Sequence, residues 1–306
     1  MRIAFVNTLF KLAKKDSRII LLTADLGYSV FEEFQEKLPD QFLNVGIAEQ
    51  NMTGVAAGMA IEGMKPFIYS IVPFATMRNF EQIRNDICYQ NLNVKIVGVG
   101  AGFSYGPYGH THHGLEDVAI LRPLPNMTIF TPGDPVETSL VTTEAVKMQG
   151  PAYIRLGRAG EPVVHTVAPQ FKVGKGIVLQ KGKKVALIAM STMLASTIEV
   201  AKKLKEKNLT PTIVSIPTIK PFDNELILDI FKSHEYIYSL EEHFAVGGLG
   251  SAVAEAVVTS NVSFKKYHMF AAPDKFSKVI GDQRYMRNDN GLSVDQILKK
   301  IISDTS

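Results

Sequence analysis

Short runs of apolar, often β-branched residues alternate with segments of helical periodicity along the whole chain. Continuous apolar runs of this length are typical of strands buried between two layers of helices in a parallel sheet. The runs predict strands at 19–23, 42–45, 66–71, 94–99, 127–131 and 152–156, and again at 185–189, 212–216, 236–240 and 266–270. The alternation therefore predicts an α/β protein.

The segments between the runs repeat apolar residues at helical spacing. After Glu49 the apolar stripe is formed by Met52, Val55, Ala56, Met59 and Ala60. The next stripe is formed by Phe80, Ile83, Ile87 and Cys88. We therefore expect Cys88 to be a small buried apolar side chain rather than a nucleophile. Further helices are predicted at 194–207 and 250–259.

The periodicity lapses at about residues 157–175, where glycine, proline and polar residues interrupt it. Such punctuation is typical of a linker. The chain has 306 residues, about twice the ~150-residue scale of one ordinary domain. We predict two domains, residues 1–165 and residues 173–306, each built on a mostly parallel sheet flanked by helices.

Composition narrows the class of protein. The chain carries 33 Lys and Arg against 30 Asp and Glu, a formal net charge of +3, with no basic block and no tryptophan. This balance argues against a nucleic-acid partner. The single cysteine excludes an internal disulfide and fits a reducing compartment, and no apolar stretch reaches about 18 residues. We expect a cytoplasmic protein that neither is secreted nor spans a membrane.

The first candidate for chemistry is Glu49, at the junction of a predicted strand and a helix of small residues. In open α/β sheets, ligands bind beyond the carboxyl ends of the strands. The alternative is that Glu49 only complements the positive end of the helix. The local sequence leaves both interpretations open.

A second candidate is the loop 98–114, which is rich in glycine and holds three of the seven histidines. Glycines beside Pro107 indicate a sharp turn or a close approach of the backbone. His110, His112 and His113 could bind a metal, transfer protons or hydrogen-bond a polar substrate. Zinc is disfavoured because too few further ligands accompany them, and we expect no metal site on this chain. The composition predicts a functional loop.

A third candidate is the segment 241–251, whose pattern predicts a strand, a glycine turn and a helix. The first amides of such a helix could bind an anion. The glycine spacing does not match a dinucleotide fingerprint, and no acidic residue ends a strand about 20 residues later. We therefore favour a tight structural turn.

Several short motifs follow one another over nearly the whole chain. They lie at 46–50 (Gly-Ile-Ala-Glu-Gln), 56–60 (Ala-Ala-Gly-Met-Ala) and 109–114 (Gly-His-Thr-His-His-Gly), and continue at 125–127, 131–134 and 239–243. In this order they resemble the motifs of the thiamine diphosphate-dependent transketolase family. The related deoxyxylulose-phosphate synthases share the same signals.

The resemblance implies an enzyme that works with a second polypeptide. Family members hold the diphosphate through a metal ion, Mg²⁺ or Ca²⁺, on an N-terminal domain with a Gly-Asp-Gly motif. Neither Gly133-Asp134 nor Gly281-Asp282 continues into that motif. The chain is thus similar to the pyrimidine-binding and C-terminal domains of a split transketolase. This similarity implies an N-terminal transketolase subunit as partner, in a homodimer or a two-plus-two heterotetramer.

The resemblance gives cofactor roles to three residues. The family carboxyl at the position of Glu49 hydrogen-bonds a ring nitrogen of the aminopyrimidine of thiamine diphosphate, and an apolar setting would raise its pKa toward sharing that proton. Phe74 matches the aromatic residue that stacks on the pyrimidine, with plain core packing as the alternative. Asp25 matches a carboxylate near the cofactor at the subunit junction.

The resemblance also gives substrate roles. His112 matches the family histidine that hydrogen-bonds the carbonyl oxygen and hydroxyls of the donor, so it joins Glu49 as a catalytic candidate. Arg2, Ser29 and Arg158 match positions that hold a sugar phosphate, in keeping with guanidinium recognition of phosphate. The implied substrates are sugars or sugar phosphates.

Two residues depart from the family pattern. Gly100 occupies the position at which the family has a phosphate-contacting histidine. Tyr108 occupies the position at which the family has an aspartate that hydrogen-bonds a sugar hydroxyl. The departures leave open both the pentose-phosphate reaction and a reaction of a modified, branched or unphosphorylated sugar. His110 and His113 are further substrate candidates, with shaping of the loop as the alternative.

The expected activity is transfer of a two-carbon ketol unit from a ketose donor to an aldose acceptor. The β subunit of a 2-oxoacid dehydrogenase or acetoin-cleaving complex shares the layout and the glutamate, but the histidine loop favours a transketolase. A deoxyxylulose-phosphate synthase fragment is a further alternative. A non-catalytic homologue is disfavoured by the joint presence of Glu49, Phe74 and His112. No residue of the C-terminal domain is expected to be catalytic.

Overall fold

The computed structural model describes residues 1–27, 29–158, 160–260 and 262–306. The strands, numbered in chain order, are β1 (Ile19–Thr23), β2 (Phe42–Asn44), β3 (Lys65–Ile71), β4 (Lys95–Val99), β5 (Thr128–Phe130), β6 (Ala152–Leu156), β7 (Ile177–Gln180), β8 (Val185–Ala189), β9 (Thr212–Ser215), β10 (Thr218–Lys220), β11 (Tyr236–Phe244) and β12 (Lys266–Ala272).

The helices lie between these strands and after them. They are α1 (Arg2–Ala13), α2 (Glu32–Lys37), α3 (Glu49–Ile61), α4 (Val72–Thr76), α5 (Phe80–Gln82), α6 (Asp117–Leu121), α7 (Pro135–Lys147), α8 (Met193–Lys205), α9 (Asn224–Ser233), α10 (Leu249–Val258), α11 (Gln283–Asp289) and α12 (Val294–Thr305). Short 3₁₀ turns occupy Pro39–Gln41, Gly106–Tyr108 and His110–His112, and α5 continues into a π-helical turn, Ile83–Cys88. Across the described ranges, no helix is long and apolar enough to cross a bilayer.

Two sheets organise the described residues. One has the strand order β10-β5-β6-β4-β3-β1-β2 and the other β12-β11-β8-β9-β7. The neighbouring strands pair in parallel except for β10 with β5 and β7 with β9. The predicted α/β class with two mostly parallel sheets flanked by helices is confirmed.

The central strands are buried along their whole length. Every residue of β1, β4, β6 and β8 is buried, which is why these strands are continuous apolar runs in the sequence. The predicted strands agree with the observed ones to within two residues at each end, except that β11 runs on to Phe244. The apolar pattern therefore located the sheets well.

The apolar pattern missed β7 and β10. β10 follows a strand of the second sheet in the chain, yet it pairs with β5 at the edge of the first sheet. Thr131 holds this connection, because its N–H donates to the carbonyl of Pro217 at 2.8 Å and its hydroxyl donates to the carbonyl of Ile216 at 2.7 Å. The two sheets are thus joined through β10 as well as through the segment between β6 and β7.

One hydrophobic cluster extends across both sheets. It contains Leu22 and Ile96 of the first sheet and Ile188 and Ile237 of the second. Cys88 is 2% exposed and belongs to the same cluster, which confirms its prediction as a buried apolar side chain. The shared core packs the second sheet against the first.

Candidate active site

The candidate residues follow the carboxyl ends of neighbouring parallel strands. β1 is followed by Asp25, β2 by Glu49, β3 by Phe74, β4 by the loop with His112, and β6 by Arg158. Because these strands are parallel and adjacent, their carboxyl ends meet at one edge of the sheet. Arg2 reaches the same edge from the start of α1, where it lies beside Tyr69 of β3.

The carboxylate of Glu49 is buried at the start of α3, with only 2% of the residue exposed. Ser70 donates its hydroxyl to one oxygen at 3.1 Å, and Arg78 donates a guanidinium N–H to the other at 2.7 Å. A buried carboxylate needs such partners because leaving water is costly for a charge. The apolar setting considered from the sequence is therefore not what surrounds Glu49, since a cation and a hydroxyl flank it.

Arg78 links Glu49 to Phe74. The guanidinium carbon of Arg78 lies 4.3 Å from the centre of the Phe74 ring, in a cation–π contact. The Arg78 side chain is 42% exposed, whereas that of Glu49 is 1% exposed. The carboxylate and the aromatic ring predicted to meet one pyrimidine thus share a single, movable neighbour.

His112 is the next residue along this edge. Its ring centre lies 5.2 Å from that of Phe74 and 5.3 Å from that of Tyr108. The hydroxyl of Thr111 lies 3.0 Å from Nδ1. Partial burial lowers the pKa of His112 below its ordinary value. The imidazole is therefore neutral near pH 7 and offers one N–H donor and one acceptor.

Tyr105 explains why residue 100 is glycine. A Cβ built on Gly100 would lie 2.2 Å from the Tyr105 ring, and Gly100 has a φ of +94°. Any side chain at this position would therefore be strained and would collide with the ring. The Tyr105 ring also lies 6.4 Å from that of His112 and 5.2 Å from the guanidinium carbon of Arg158. Tyr105 therefore covers the place where the family pattern has a histidine.

Arg2 has unused hydrogen-bonding capacity beside Tyr105. Within the described residues, Nε of Arg2 and the hydroxyl of Tyr69 are buried and have no hydrogen-bond partner. Burial raises the pKa of both Tyr69 and Tyr105, and the charge of Arg2 opposes that rise. Buried polar groups without a partner are uncommon in folded proteins. A buried guanidinium nitrogen and a buried hydroxyl without partners at this edge suit a site that receives an anionic or polar group.

Glu49, Arg78, Phe74, His112, Tyr105 and Arg158 form one continuous row of contacts, which we call the carboxyl-edge row. Chemically, the row offers a buried carboxylate and an aromatic face at one end, a neutral imidazole in the middle and a guanidinium at the other end. Ser70, Arg78 and Tyr105 were missed by the sequence interpretation. Only Arg78 left a signal, because it lies four residues after Phe74, a spacing that places two side chains on one helical face.

Asp25 and Ser29 form a separate group after β1. Asn44 donates its amide to the Asp25 carboxylate at 3.3 Å and accepts from the Asp25 N–H at 3.0 Å. The N–H of Ser29 donates to the carboxylate of Glu32. Asp25 and Ser29 have φ values of 52° and 61°. Non-glycine residues adopt this left-handed conformation at a cost, and such residues are frequent at functional sites.

The other two histidines of the loop have different surroundings from His112. His113 is 3% exposed, its ring lies 5.2 Å from that of Phe103, and its Nε2 lies 3.4 Å from the carbonyl of Gly106. The ring of the exposed His110 lies 5.7 Å from that of Phe276 in the C-terminal part of the chain. The contacts of His113 are those of a residue that shapes the loop.

The turn at 241–251 is a structural one. The carboxylate of Glu241 accepts the N–H groups of Leu249 at 2.6 Å and Gly250 at 2.7 Å, at the start of α10. Glu241 is fully buried. The amides that could have bound an external anion are therefore already occupied by a carboxylate of the chain itself.

These observations define a class: an α/β chain of two mostly parallel sheets, with a polar and aromatic site at the carboxyl edge of the first sheet. The family described as "Transketolase, pyrimidine binding domain" matches residues 1–161, and "Transketolase, C-terminal domain" matches residues 174–286. The chain therefore belongs to the transketolase family, as its motifs predicted.

Its relatives include separate subunits of transketolases. One of the subunits of the apulose-4-phosphate transketolase from Actinobacillus succinogenes is 37% identical over 270 residues, which is 88% of this chain and 86% of that relative. A putative transketolase C-terminal section of Methanocaldococcus jannaschii is 36% identical over 307 residues, covering 99% and 96% of the two chains. Among solved structures, a split gene transketolase described as an inactive β4 tetramer is 36% identical with a TM-score of 0.90, covering 99% of this chain and 97% of that one. The predicted resemblance to one chain of a split transketolase is confirmed.

Proposed function

We propose that this chain is the pyrimidine-binding subunit of a two-chain transketolase. It transfers a two-carbon ketol unit from a ketose or ketose phosphate to an aldose acceptor, in the cytoplasm. The observation that supports this proposal most directly is the carboxyl-edge row, in which Arg78 contacts both Glu49 and Phe74, and the Phe74 ring in turn lies beside that of His112. The family motifs give these residues one shared task.

The family implies dependence on thiamine diphosphate, and the described residues suit its aminopyrimidine. Glu49 is a buried carboxylate whose second partner, Arg78, is exposed enough to move, and Phe74 has an aromatic face beside it. In the proposal Glu49 hydrogen-bonds a ring nitrogen, Phe74 stacks on the ring, and Asp25 lies near the cofactor at the subunit junction. When bound, thiamine diphosphate supplies the nucleophilic carbon, and the chain supplies orientation and the proton held at Glu49.

His112 and the arginines are proposed to receive the donor sugar. A neutral imidazole at His112 can hydrogen-bond a carbonyl or hydroxyl oxygen. Arg2 and Arg158, which both lie beside Tyr105, suit a phosphate, with Ser29 as a further contact. The Actinobacillus relative is named for apulose 4-phosphate. A phosphorylated donor is therefore the first substrate class to test, with His110 as a secondary contact and His113 as a residue that shapes the loop.

The proposed partner is an N-terminal transketolase subunit that holds the diphosphate through Mg²⁺ or Ca²⁺. The similar solved tetramer consists of β chains and is described as inactive, as expected if such chains need a partner for activity. A two-plus-two heterotetramer is the proposed working assembly, with a homodimer of this chain as its core.

The test is a ketol-transfer assay with thiamine diphosphate and Mg²⁺ over a panel of ketose donors. The panel contains phosphorylated, unphosphorylated and branched ketoses. The chain is assayed alone and together with an N-terminal transketolase subunit from the same organism. We expect activity only in the mixture. Activity of the isolated chain, or decarboxylation of 2-oxoacids in place of ketol transfer, would contradict the proposal.

A further inference from the structure

The loop that carries His112 is closed at its base. The N–H of Gly102 donates to the carbonyl of Gly114 at 2.8 Å, and the N–H of Gly114 donates back to Gly102 at 2.9 Å. Residues 102–114, which we call the histidine loop, therefore have a defined neck. Whatever holds this neck determines where His112 lies.

One side of the neck is held by the buried carboxylate of Glu242, a residue of β11 in the second sheet. The N–H of Phe103 in the loop donates to Glu242 at 3.0 Å. The remaining donors come from the C-terminal part of the chain: Thr192 at 2.6 Å, Arg287 at 2.7 Å and Gln283 at 2.8 Å. Burial opposes the ionisation of Glu242, but the charge of Arg287 and the hydrogen bonds from Arg287, Thr192 and Phe103 hold its pKa below the ordinary carboxyl value. The carboxylate is therefore a charged junction between the loop and the second sheet.

The other side of the neck is held by Arg155 of β6. One guanidinium nitrogen of Arg155 donates to the carbonyl of Gly114 at 2.6 Å and to the backbone carbonyl of Glu242 at 3.0 Å. A second nitrogen donates to Asp117 at 2.8 Å. Arg155, Asp117 and Glu242 are all fully buried. Both sides of the neck are thus fastened to residue 242, one through its side chain and one through its backbone.

Glycines let the loop lie directly against the C-terminal part of the chain. A Cβ on Gly102 would lie 2.5 Å from the side chain of Glu242. A Cβ on Gly106 would lie 2.3 Å from the carbonyl of Gly281. Because backbone cannot yield as a flexible side chain does, this close packing leaves the loop little room to shift.

We propose that Glu242 is a positioning residue for the reaction, and that through it the second sheet fixes the histidine loop and hence His112. The part of this inference that concerns catalysis rests on the proposed function. Among the described residues, the side-chain hydrogen bonds of Glu242 go to Phe103, Thr192, Gln283 and Arg287 and to no member of the carboxyl-edge row. Its effect therefore passes through the neck of the loop.

The experiment measures amide hydrogen exchange in the full chain, wild type and variants. Glu242→Gln keeps the size of the side chain and removes the charge. Thr192→Val removes one donor and leaves the charge, so it tests the proposal even if the first variant folds poorly. The matched control is Asp304→Asn, because Asp304 is a carboxylate 4% exposed that accepts from Tyr238, Lys266 and Lys300, far along the chain from the loop.

We expect exchange across residues 102–114 to become about tenfold faster in Glu242→Gln and about threefold faster in Thr192→Val. Asp304→Asn should leave this segment unchanged. Unchanged exchange of the loop in both test variants, or an equal increase in Asp304→Asn, would overturn the proposal.

A second arm uses the assembly with the N-terminal subunit. Glu242→Gln should lower kcat/KM for the donor by about tenfold, with the affinity for thiamine diphosphate unchanged, because Glu49 and Phe74 lie outside the loop. If the wild-type assembly transfers no ketol unit while loop exchange responds as expected, the proposed function fails and the positioning role of Glu242 is retained. If the assembly is active and loop exchange does not respond, the positioning role fails.

Discussion

Arg78 donates a 2.7 Å hydrogen bond to the carboxylate of Glu49 while its guanidinium lies on the ring of Phe74. A single planar cation thus contacts both groups to which the proposed function assigns the aminopyrimidine. Under the proposed function these two contacts would compete with the cofactor, since a ring that stacked on this face of Phe74 and reached Glu49 would need the same space. Displacing Arg78 would then be part of the free energy of cofactor binding.

Arg78→Met should tighten the binding of thiamine diphosphate. The arginine of this ion pair is partly exposed to solvent, which makes the pair weak. Removing it should therefore raise the affinity for thiamine diphosphate by only about fivefold. Titration calorimetry of the assembly with the N-terminal subunit measures the change. Arg84→Met is the control, because Arg84 is exposed and donates to its neighbour Asn85. Weaker binding by Arg78→Met would mean that Arg78 helps to hold the cofactor.

Glu49→Gln should remove turnover while the chain remains folded. The amide preserves shape and can still bond to Ser70, but it cannot hold the proton that the proposed mechanism needs. Loss of a proton-transferring group costs about 100-fold or more in rate. Glu62→Gln, an exposed carboxylate just after the same helix, should retain activity. Steady-state assays of the assembly with each variant decide the matter, and Glu49→Gln with near wild-type kcat would refute the role of Glu49.

The sequence was enough to place the sheets because their central strands are buried on both faces. Such strands are unbroken apolar runs, as in β1 and β8. β10 has the sequence Thr-Ile-Lys, in which a single apolar residue stands between a threonine and a lysine. No apolar run marks it, so only its pairing with β5 reveals it.

The residues of the candidate site that lie in family motifs could be predicted from the sequence. Those that reach the site only through packing could not. Glu49, Phe74 and His112 were found through short motifs in a known order. Ser70 and Tyr105 were not found, because a serine in a buried strand and a tyrosine in a loop have no distinctive spacing. Gly100 was interpreted as a departure from the family, whereas the structure gives its physical reason: the Tyr105 ring occupies the space of a side chain there.

Arg158→Met should weaken the binding of phosphorylated donors and leave that of unphosphorylated donors nearly unchanged. Arg158 lies on the Tyr105 ring, which is also beside Arg2, and a guanidinium contributes charge-assisted hydrogen bonds to a phosphate that an unphosphorylated sugar cannot use. We expect the KM for phosphorylated donors to rise about tenfold, with little change for unphosphorylated ones. Arg18→Met is the control, because Arg18 lies before β1 at the opposite edge of the sheet and pairs with Asp16. An equal rise in KM for both kinds of donor would contradict the role of Arg158 in binding phosphate.

Tyr108→Asp should raise the pKa of His112. In the structure His112 has a lowered pKa because it is partly buried, and the Tyr108 ring lies 5.3 Å from its own ring. The substitution opens the imidazole to water and adds a nearby negative charge, and both changes favour the protonated form. NMR titration of the histidine ring protons measures the shift in the isolated chain. Tyr285→Asp, at an exposed tyrosine, is the control, and a His112 pKa equal to that of wild type would contradict the expectation.

His243 should make the chain sensitive to mild acid. It is fully buried, and burial lowers its pKa to about 4. Its Nδ1 lies 2.7 Å from the carbonyl of Phe244, and its Nε2 accepts the N–H of Ala119 at 3.3 Å. A proton on Nε2 would face that N–H, so the folded chain keeps the ring neutral, with the proton on Nδ1.

The sign of the pH effect follows from these two protonation states. Well above pH 6.5 neither the folded nor the unfolded chain carries a proton on His243, so the residue contributes no pH dependence there. As the pH falls from about 6.5 toward 4, only the unfolded chain takes up the proton, and the free energy of unfolding falls by up to about 3 kcal/mol. His243→Gln, which can keep one donor and one acceptor, should be less stable at pH 7.5 but should lack this part of the decline. Urea denaturation of both proteins at about pH 7.5, 5.5 and 4.5, one value above the window and two inside it, measures the difference. Parallel declines in the two proteins would show that His243 is not the group that titrates.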